Sequence, residues 1–77
     1  MKLELFIMDT CPYCRKVMRY INENDIKGIE YLDIKKDAAA EERLIREGGK
    51  RQVPCLFMDG QPMYESDDII SWLKTNI

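Results

Sequence analysis

The sequence predicts an α/β domain with a four-stranded mixed sheet flanked by three helices, in the order βαβ-α-ββ-α. Three observations predict it. An alternating apolar segment, Lys2 to Met8, runs into a helical repeat and then into a second strand-like run. Over about thirty residues that order reads as a right-handed crossover between parallel strands. Asp59-Gly60 joins two further strand-like runs as a tight hairpin, which adds an antiparallel pair. A last helical pattern, opened by Ser66, closes the chain.

In the first strand Leu3, Leu5 and Ile7 alternate with Lys2, Glu4, Phe6 and Met8, so the second face is also partly apolar. An inner strand covered on both sides is expected. After Asp9-Thr10, Pro12 suits the first position of a helix, where its missing N–H is no loss. Cys14, Val17, Met18 and Ile21 fall at i, i+3, i+4 and i+7 and mark the buried face, with Arg15, Lys16 and Arg19 off it. The polar run from Asn22 to Asp25, then Gly28, ends that helix. Ile29 to Ile34 is the second strand. Asp37 is the expected cap of a second helix reaching Glu47, with Ala40, Leu44 and Ile45 inward and Gly48-Gly49 as its stop. Val53 to Met58 is an almost wholly apolar strand, and Pro62 marks the returning run, Gln61 to Tyr64, as an edge. Ser66 is expected to cap the last helix. Asp67 and Asp68 then sit in its first turn, where the dipole favours anions, and Ile69, Ile70 and Leu73 form the buried face.

The 77 residues suffice for a single domain, residues 1–77, with no room for a second core. An apolar fraction of 45% with 34% charged residues belongs to a globular chain, not a disordered one. A net charge of −2, with both signs interspersed, gives no general electrostatic case for nucleic acid or an anionic membrane. No apolar run approaches the roughly 18 residues needed to span a bilayer, and Met1-Lys2 leads straight into a strand. A cytoplasmic monomer is therefore the expectation. The three cysteines are an odd count for a framework of structural disulfides, and the chain has no histidine. Any nucleophile must be activated by its surroundings, because no imidazole base exists.

Cys11-Pro12-Tyr13-Cys14 carries the chemistry. A Cys-x-x-Cys can be half of a zinc site, a redox pair, or chance. A structural zinc site wants four ligands, and Cys55 is the sole remaining cysteine, so a carboxylate would have to complete the set. The βαβ context favours thiol–disulfide exchange. A sulfur at the N-cap of the first helix lies beside unpaired backbone N–H groups and the positive end of the dipole, which favours the reactive thiolate. Arg15 and Lys16 add positive charge within a turn. Cys14 lies deeper, on the Val17/Met18 face. The roles follow: Cys11 attacks a disulfide, and Cys14 resolves the mixed disulfide, forming a redox-active Cys11–Cys14 pair with no metal. Cys55, inside an apolar strand, reads as a small buried hydrophobe.

These residues resemble the dithiol glutaredoxins of the thioredoxin fold over essentially the whole chain. Cys11-Pro12-Tyr13-Cys14 matches that active site letter for letter, Val53-Pro54 stands where the family has its cis-proline dipeptide, and Ser66-Asp67-Asp68 stands at the helix start after the hairpin. The resemblance implies glutathione as reductant, with protein disulfides and glutathione mixed disulfides as substrates. It implies that Tyr13 flanks glutathione, that the Val53 backbone pairs with it by β-addition, and that its γ-glutamyl carboxylate sits on the N–H groups at Ser66 and Asp67. The Asp67 side chain would then take its ammonium. The chain departs from the family at Met8, where a lysine is common, leaving Lys50 or Arg51 to replace that charge. It departs again at Tyr64-Glu65, where Gly-Gly is usual. Gln52-Val53-Pro54 with Tyr64-Glu65-Ser66 is instead similar to the glutathione-binding half of glutathione transferases. Two other expectations stand beside the first. One is a redoxin recharged by thioredoxin reductase that feeds a partner such as ribonucleotide reductase. The other, of a different class, is an iron–sulfur or metal carrier module, which the second thiol at Cys14 and the rigid Pro12 disfavour.

Overall fold

All five side chains of the first strand are buried, and this sets the layering of the molecule. The computed structural model describes residues 1–77. It runs β1 (Leu3–Ile7), α1 (Pro12–Glu23), β2 (Ile29–Asp33), α2 (Ala38–Gly48), β3 (Cys55–Met58), β4 (Gln61–Tyr64) and α3 (Ser66–Asn76). The sheet order is β2-β1-β3-β4. β1 pairs parallel with β2, Leu3 opposite Ile29, and antiparallel with β3, Leu5 opposite Leu56. β3 and β4 form the antiparallel hairpin, with Asp59 at φ +50° and Gly60 at φ +86°, the two positive dihedrals a tight two-residue turn requires.

The period of two along β1 divides the core. Leu3, Leu5 and Ile7, joined by Leu56, face α1 and α3 and pack on Cys14, Val17, Ile21, Ile69 and Leu73. Phe6 faces the other way, with Cys55 and Phe57, and packs on Ile34 and on Ala40 and Leu44 of α2. The sequence reading of an inner strand and an edge strand at Pro62 agrees with this topology. No helix is long and apolar enough to cross a membrane.

Three expectations are corrected. Ile45 is 46% exposed: α2 meets the sheet along the narrow Ala40/Leu44 stripe, and Ile45 lies about 100° further round the helix. Ser66 is the first residue of α3, not its cap; Glu65 is the cap residue, at φ +70°, and makes no side-chain capping bond. β3 starts at Cys55, so Val53 and the cis Val53–Pro54 peptide lie before the ladder. Glu4, on the second face of β1, is 3% exposed, as a strand covered on both sides requires. Arg43 of α2 reaches it with two bonds, 2.6 and 2.8 Å, while its guanidinium lies 5.6 and 5.3 Å from the Phe6 and Phe57 rings. The α2 caps match expectation. Asp37 accepts from the N–H groups of Ala39 and Ala40, and Gly49 takes the left-handed C-cap at φ +85°.

Candidate active site

Pro12 starts α1, so Cys11 is its N-cap, in extended conformation. There the Cys11 Sγ accepts the N–H of Cys14 at 3.4 Å and lies 4.0 Å from the Val53 carbonyl. β1 aims this corner: it is one of the two inner strands, and the Cys11 N–H bonds back to the Met8 carbonyl at 3.1 Å. Cys11 is half-buried and Cys14 fully buried, three residues into the helix and on its core face. Burial pushes the Cys14 thiol up to about 12; the Cys11 sulfur and the Asp33 carboxylate act the same way, against a hydrogen bond from the Met8 backbone. The two sulfurs therefore differ in access: Cys11 is half-buried beside the Val53 carbonyl, and Cys14 is enclosed in the core. Cys55 lies on the opposite sheet face from Cys14, fully buried, with its thiol pushed up to about 11 by that burial. It is a core side chain, not a third member of the pair.

The charge around Cys11 is arranged differently from expectation. Arg15 donates through Nε to the Asp9 carbonyl at 3.0 Å, bracing the loop before Cys11 while keeping its own charge. Lys16 pairs with Asp67 across the α1/α3 boundary. Both side chains are largely exposed, so the pair partly offsets each charge without withdrawing either from solvent.

Beside Cys11 lies a cleft of about 430 Å³, lined by Tyr13, Gln52, Val53, Pro54, Glu65, Ser66 and Asp67. Six of the seven are the residues expected from the sequence, drawn together from α1, the loop before β3 and the start of α3. Tyr13 stands 65% exposed at the rim. Val53, outside the ladder, keeps its backbone groups out of the sheet. At the far end, the first backbone bond of α3 runs from the Ile69 N–H to the Glu65 carbonyl, so the N–H groups before it open onto the cleft. Ser66 is 8% exposed and lines the cleft. These features fit a carboxylate-bearing thiol lying between the helix start and Cys11.

Glu65 is the lining residue outside the expected site set, noted in the sequence as a departure from Gly-Gly and as part of the Tyr64-Glu65-Ser66 likeness to glutathione transferases. A non-glycine residue at φ +70° costs of order 1–3 kcal/mol, and its carboxylate accepts from Gln52 Nε2 at 3.3 Å. The signal for it was the replacement of a small residue by a charged one at a helix entrance. The proposed substitutes for the missing lysine at position 8 are engaged elsewhere. Lys50 Nζ lies 4.5 Å from the Tyr64 ring centroid, and Arg51 pairs with Glu41 at 2.6 Å while touching Met8 Sδ at 4.0 Å.

Comparison with known proteins agrees with this geometry. The family model described as Glutaredoxin matches residues 3–63. Glutaredoxin 3 of Escherichia coli K12 is 32% identical over 69 residues, covering 87% of this chain and 80% of that protein. Glutaredoxin 1 of the same organism is 30% identical over 83 residues, covering 100% and 98%. Among solved structures, a thioredoxin-like protein superposes with a TM-score of 0.82 at 29% identity, over 99% of this chain and 100% of that one. An Omega-class glutathione transferase from Trametes versicolor reaches 0.81 at 22% identity over 97% of this chain and 33% of its own length, a likeness of fold.

Proposed function

This chain belongs to the glutaredoxin family and is a thiol–disulfide oxidoreductase, and from that premise we propose that Cys11 and Cys14 form its redox pair and that glutathione, held in the adjacent cleft, reduces it. The observation that carries the reading is the asymmetric pair. Cys11 is reachable and met by a backbone N–H, while Cys14 is buried and held as a thiol.

The Cys11 thiolate attacks one sulfur of a substrate disulfide, forming a mixed disulfide and expelling the other sulfur as a thiolate, which takes up a proton. The Cys14 sulfur then attacks Cys11, its proton passing to the departing substrate thiol, and a Cys11–Cys14 disulfide remains. Two electrons have moved to the substrate. Glutathione returns them as two thiols that leave as one disulfide. Tyr13 flanks the bound thiol, the Val53 backbone pairs with it as an added strand, and the N–H groups at Ser66 and Asp67 take its γ-glutamyl carboxylate. Gln52 and Pro54 shape the wall between these contacts. This reading suits a reducing compartment such as the cytoplasm, where dithiols persist.

The test is mixed-disulfide reduction coupled to glutathione and its reductase. Cys11→Ser is expected to abolish turnover, while Cys14→Ser keeps activity on glutathione mixed disulfides and loses it on protein disulfides. Equal loss in both variants sinks the assignment of roles. Turnover with thioredoxin reductase but not with glutathione would move the electron source to that reductase.

A further inference from the structure

We propose that Tyr64 is a positioning residue for exchange at Cys11: its hydroxyl, seated on the Gly48 and Lys50 carbonyls, fastens the connection between α2 and β3 and so sets the Val53 backbone against the attacking sulfur. The inference rests on the reading of Cys11 as the nucleophile, and it concerns any disulfide that docks through a peptide backbone.

The connection, residues 49–54, has little of its own to hold it. None of the 13 backbone bonds outside helices and strands involves residues 50–54. Yet this segment carries Val53, whose carbonyl lies 4.0 Å from the Cys11 sulfur. A loop without backbone bonds keeps one shape where side chains tie it down.

Tyr64 supplies such a tie from a fixed base. It stands in the β3–β4 ladder opposite Cys55, the first residue of β3, and packs on the Phe6 side of the core. From there its hydroxyl reaches the Gly48 carbonyl at 2.8 Å and the Lys50 carbonyl at 3.2 Å. One O–H proton serves both acceptors, so the two carbonyls are drawn to a single point. Burial pushes the phenol up to about 12, and the donor proton is kept at neutral pH. The partner positions are shaped to it. A Cβ at Gly48 would lie 2.6 Å from the Tyr64 oxygen, so glycine leaves the hydroxyl its seat. The Lys50 ammonium folds back to 4.5 Å from the ring centroid and closes the contact from outside. Gln52, between Lys50 and Val53, is tied through its amide to Glu65, the neighbour of Tyr64. Two consecutive residues leaving β4 thus grip the connection at positions 50 and 52. A disulfide-bearing peptide that lies along Val53 then meets a backbone already in place. Freed from Tyr64, that backbone must be ordered at each encounter, and the cost falls on docking rather than on the sulfur chemistry.

The experiment compares the unaltered protein with Tyr64→Phe, which removes one oxygen and keeps the ring, and with Gly48→Ala, which crowds the hydroxyl from the other side. Limited trypsin digestion reports on the loop, since it cuts after Lys50, at the carbonyl Tyr64 holds, and after Arg51. Lys35 and Lys36, in the turn before α2, are the control sites. Reduced protein is also mixed with the disulfide of an acetylated, amidated tripeptide with cysteine at its centre, and separately with 2-hydroxyethyl disulfide, which has no peptide backbone. In Tyr64→Phe, cleavage after Lys50 and Arg51 is expected to rise about fivefold, the factor one hydrogen bond carries, with Lys35 and Lys36 unchanged. The rate with the peptide disulfide should fall about fivefold, while that with 2-hydroxyethyl disulfide stays within about twofold. Gly48→Ala should move both readouts the same way, and the decision rests on Tyr64→Phe whether or not Gly48→Ala folds. Equal acceleration at all four cleavage sites, or an equal fall with both disulfides, marks a general loss of stability and overturns the inference. So does no change in either readout. If Cys11→Ser reacts as fast as the unaltered protein, the Cys11 reading and this inference fall together. An inert Cys11→Ser, with the ratio of the two disulfide rates unchanged in Tyr64→Phe, overturns this inference alone.

Discussion

Replacing Arg43 with alanine removes the only guanidinium bonded to a carboxylate that is 3% exposed on β1, an inner strand. The pair makes two bonds, at 2.6 and 2.8 Å, and those bonds hold the Glu4 carboxyl below its usual range, with burial opposing them. Stranding one member of a buried pair costs about 3–5 kcal/mol. Lys2 Nζ, 3.7 Å from Glu4 but largely exposed, offsets some of this, so Arg43→Ala is expected near the lower end, about 3 kcal/mol. A domain of this length has about 4–12 kcal/mol in all, so the loss is a large share of its stability. Urea unfolding followed through Trp72 measures it. A carboxyl with a depressed native pKa contributes stability that is complete above its unfolded value, about 4.3, and lost as pH falls through the lower native value. In Arg43→Ala the partner that caused the depression is gone and protonation relieves the buried charge. The gap between the two proteins should therefore narrow as pH drops below about 4. Replacing both partners, Glu4→Leu with Arg43→Met, should recover most of the loss because no charge is left unpaired. A cost under about 1 kcal/mol, or a gap that does not narrow in acid, would refute the reasoning.

Two further outcomes follow from single contacts. With Cys11→Ser removing the competing thiol, iodoacetamide should modify Cys14 far more slowly than a free cysteine at neutral pH. The rate should climb about tenfold per pH unit toward about 12, since burial is the largest cause of the shift; a plateau near the ordinary thiol value would count against a buried resolving thiol. Gly48→Ala places a Cβ 2.6 Å from the Tyr64 hydroxyl oxygen and 3.2 Å from Leu44, and should cost about 1–3 kcal/mol in thermal unfolding. Adding Tyr64→Phe should recover part of that, and no recovery would mean the clash lies elsewhere.

The legible parts of the molecule were those with a local cause. Pro12 after Cys11, the i, i+3, i+4, i+7 face of α1, the Asp59-Gly60 turn and the Asp37 cap all follow from backbone sterics and period, and each stands where expected. Ile45 was misread because helical period alone cannot tell how wide a stripe the sheet will cover. Burial of the second face of β1 was legible, but the partner of Glu4 was not, because its arginine comes from a helix 39 residues on. Ser66 looks like a cap in sequence, since serine before two aspartates has that pattern, yet the hairpin delivers the chain to α3 one residue earlier.

By itself the sequence determined the order of elements and the chemical asymmetry of the two thiols, because both depend on neighbours within a few positions. The cysteine three residues into an amphipathic helix is necessarily the buried one. It also named six of the seven cleft residues, through likeness of motif. Only the tertiary structure decided how charge is distributed among them. Lys16 and Asp67 are 51 residues apart, Gln52 and Glu65 are 13, and Arg51 meets Glu41 and Met8 from a third direction. Such pairings depend on where the crossover and the hairpin bring separate segments together, and no local pattern encodes that. The thiols are written in the chain, and the charge pairings around the cleft come from the packing of α1, α3 and the loop before β3.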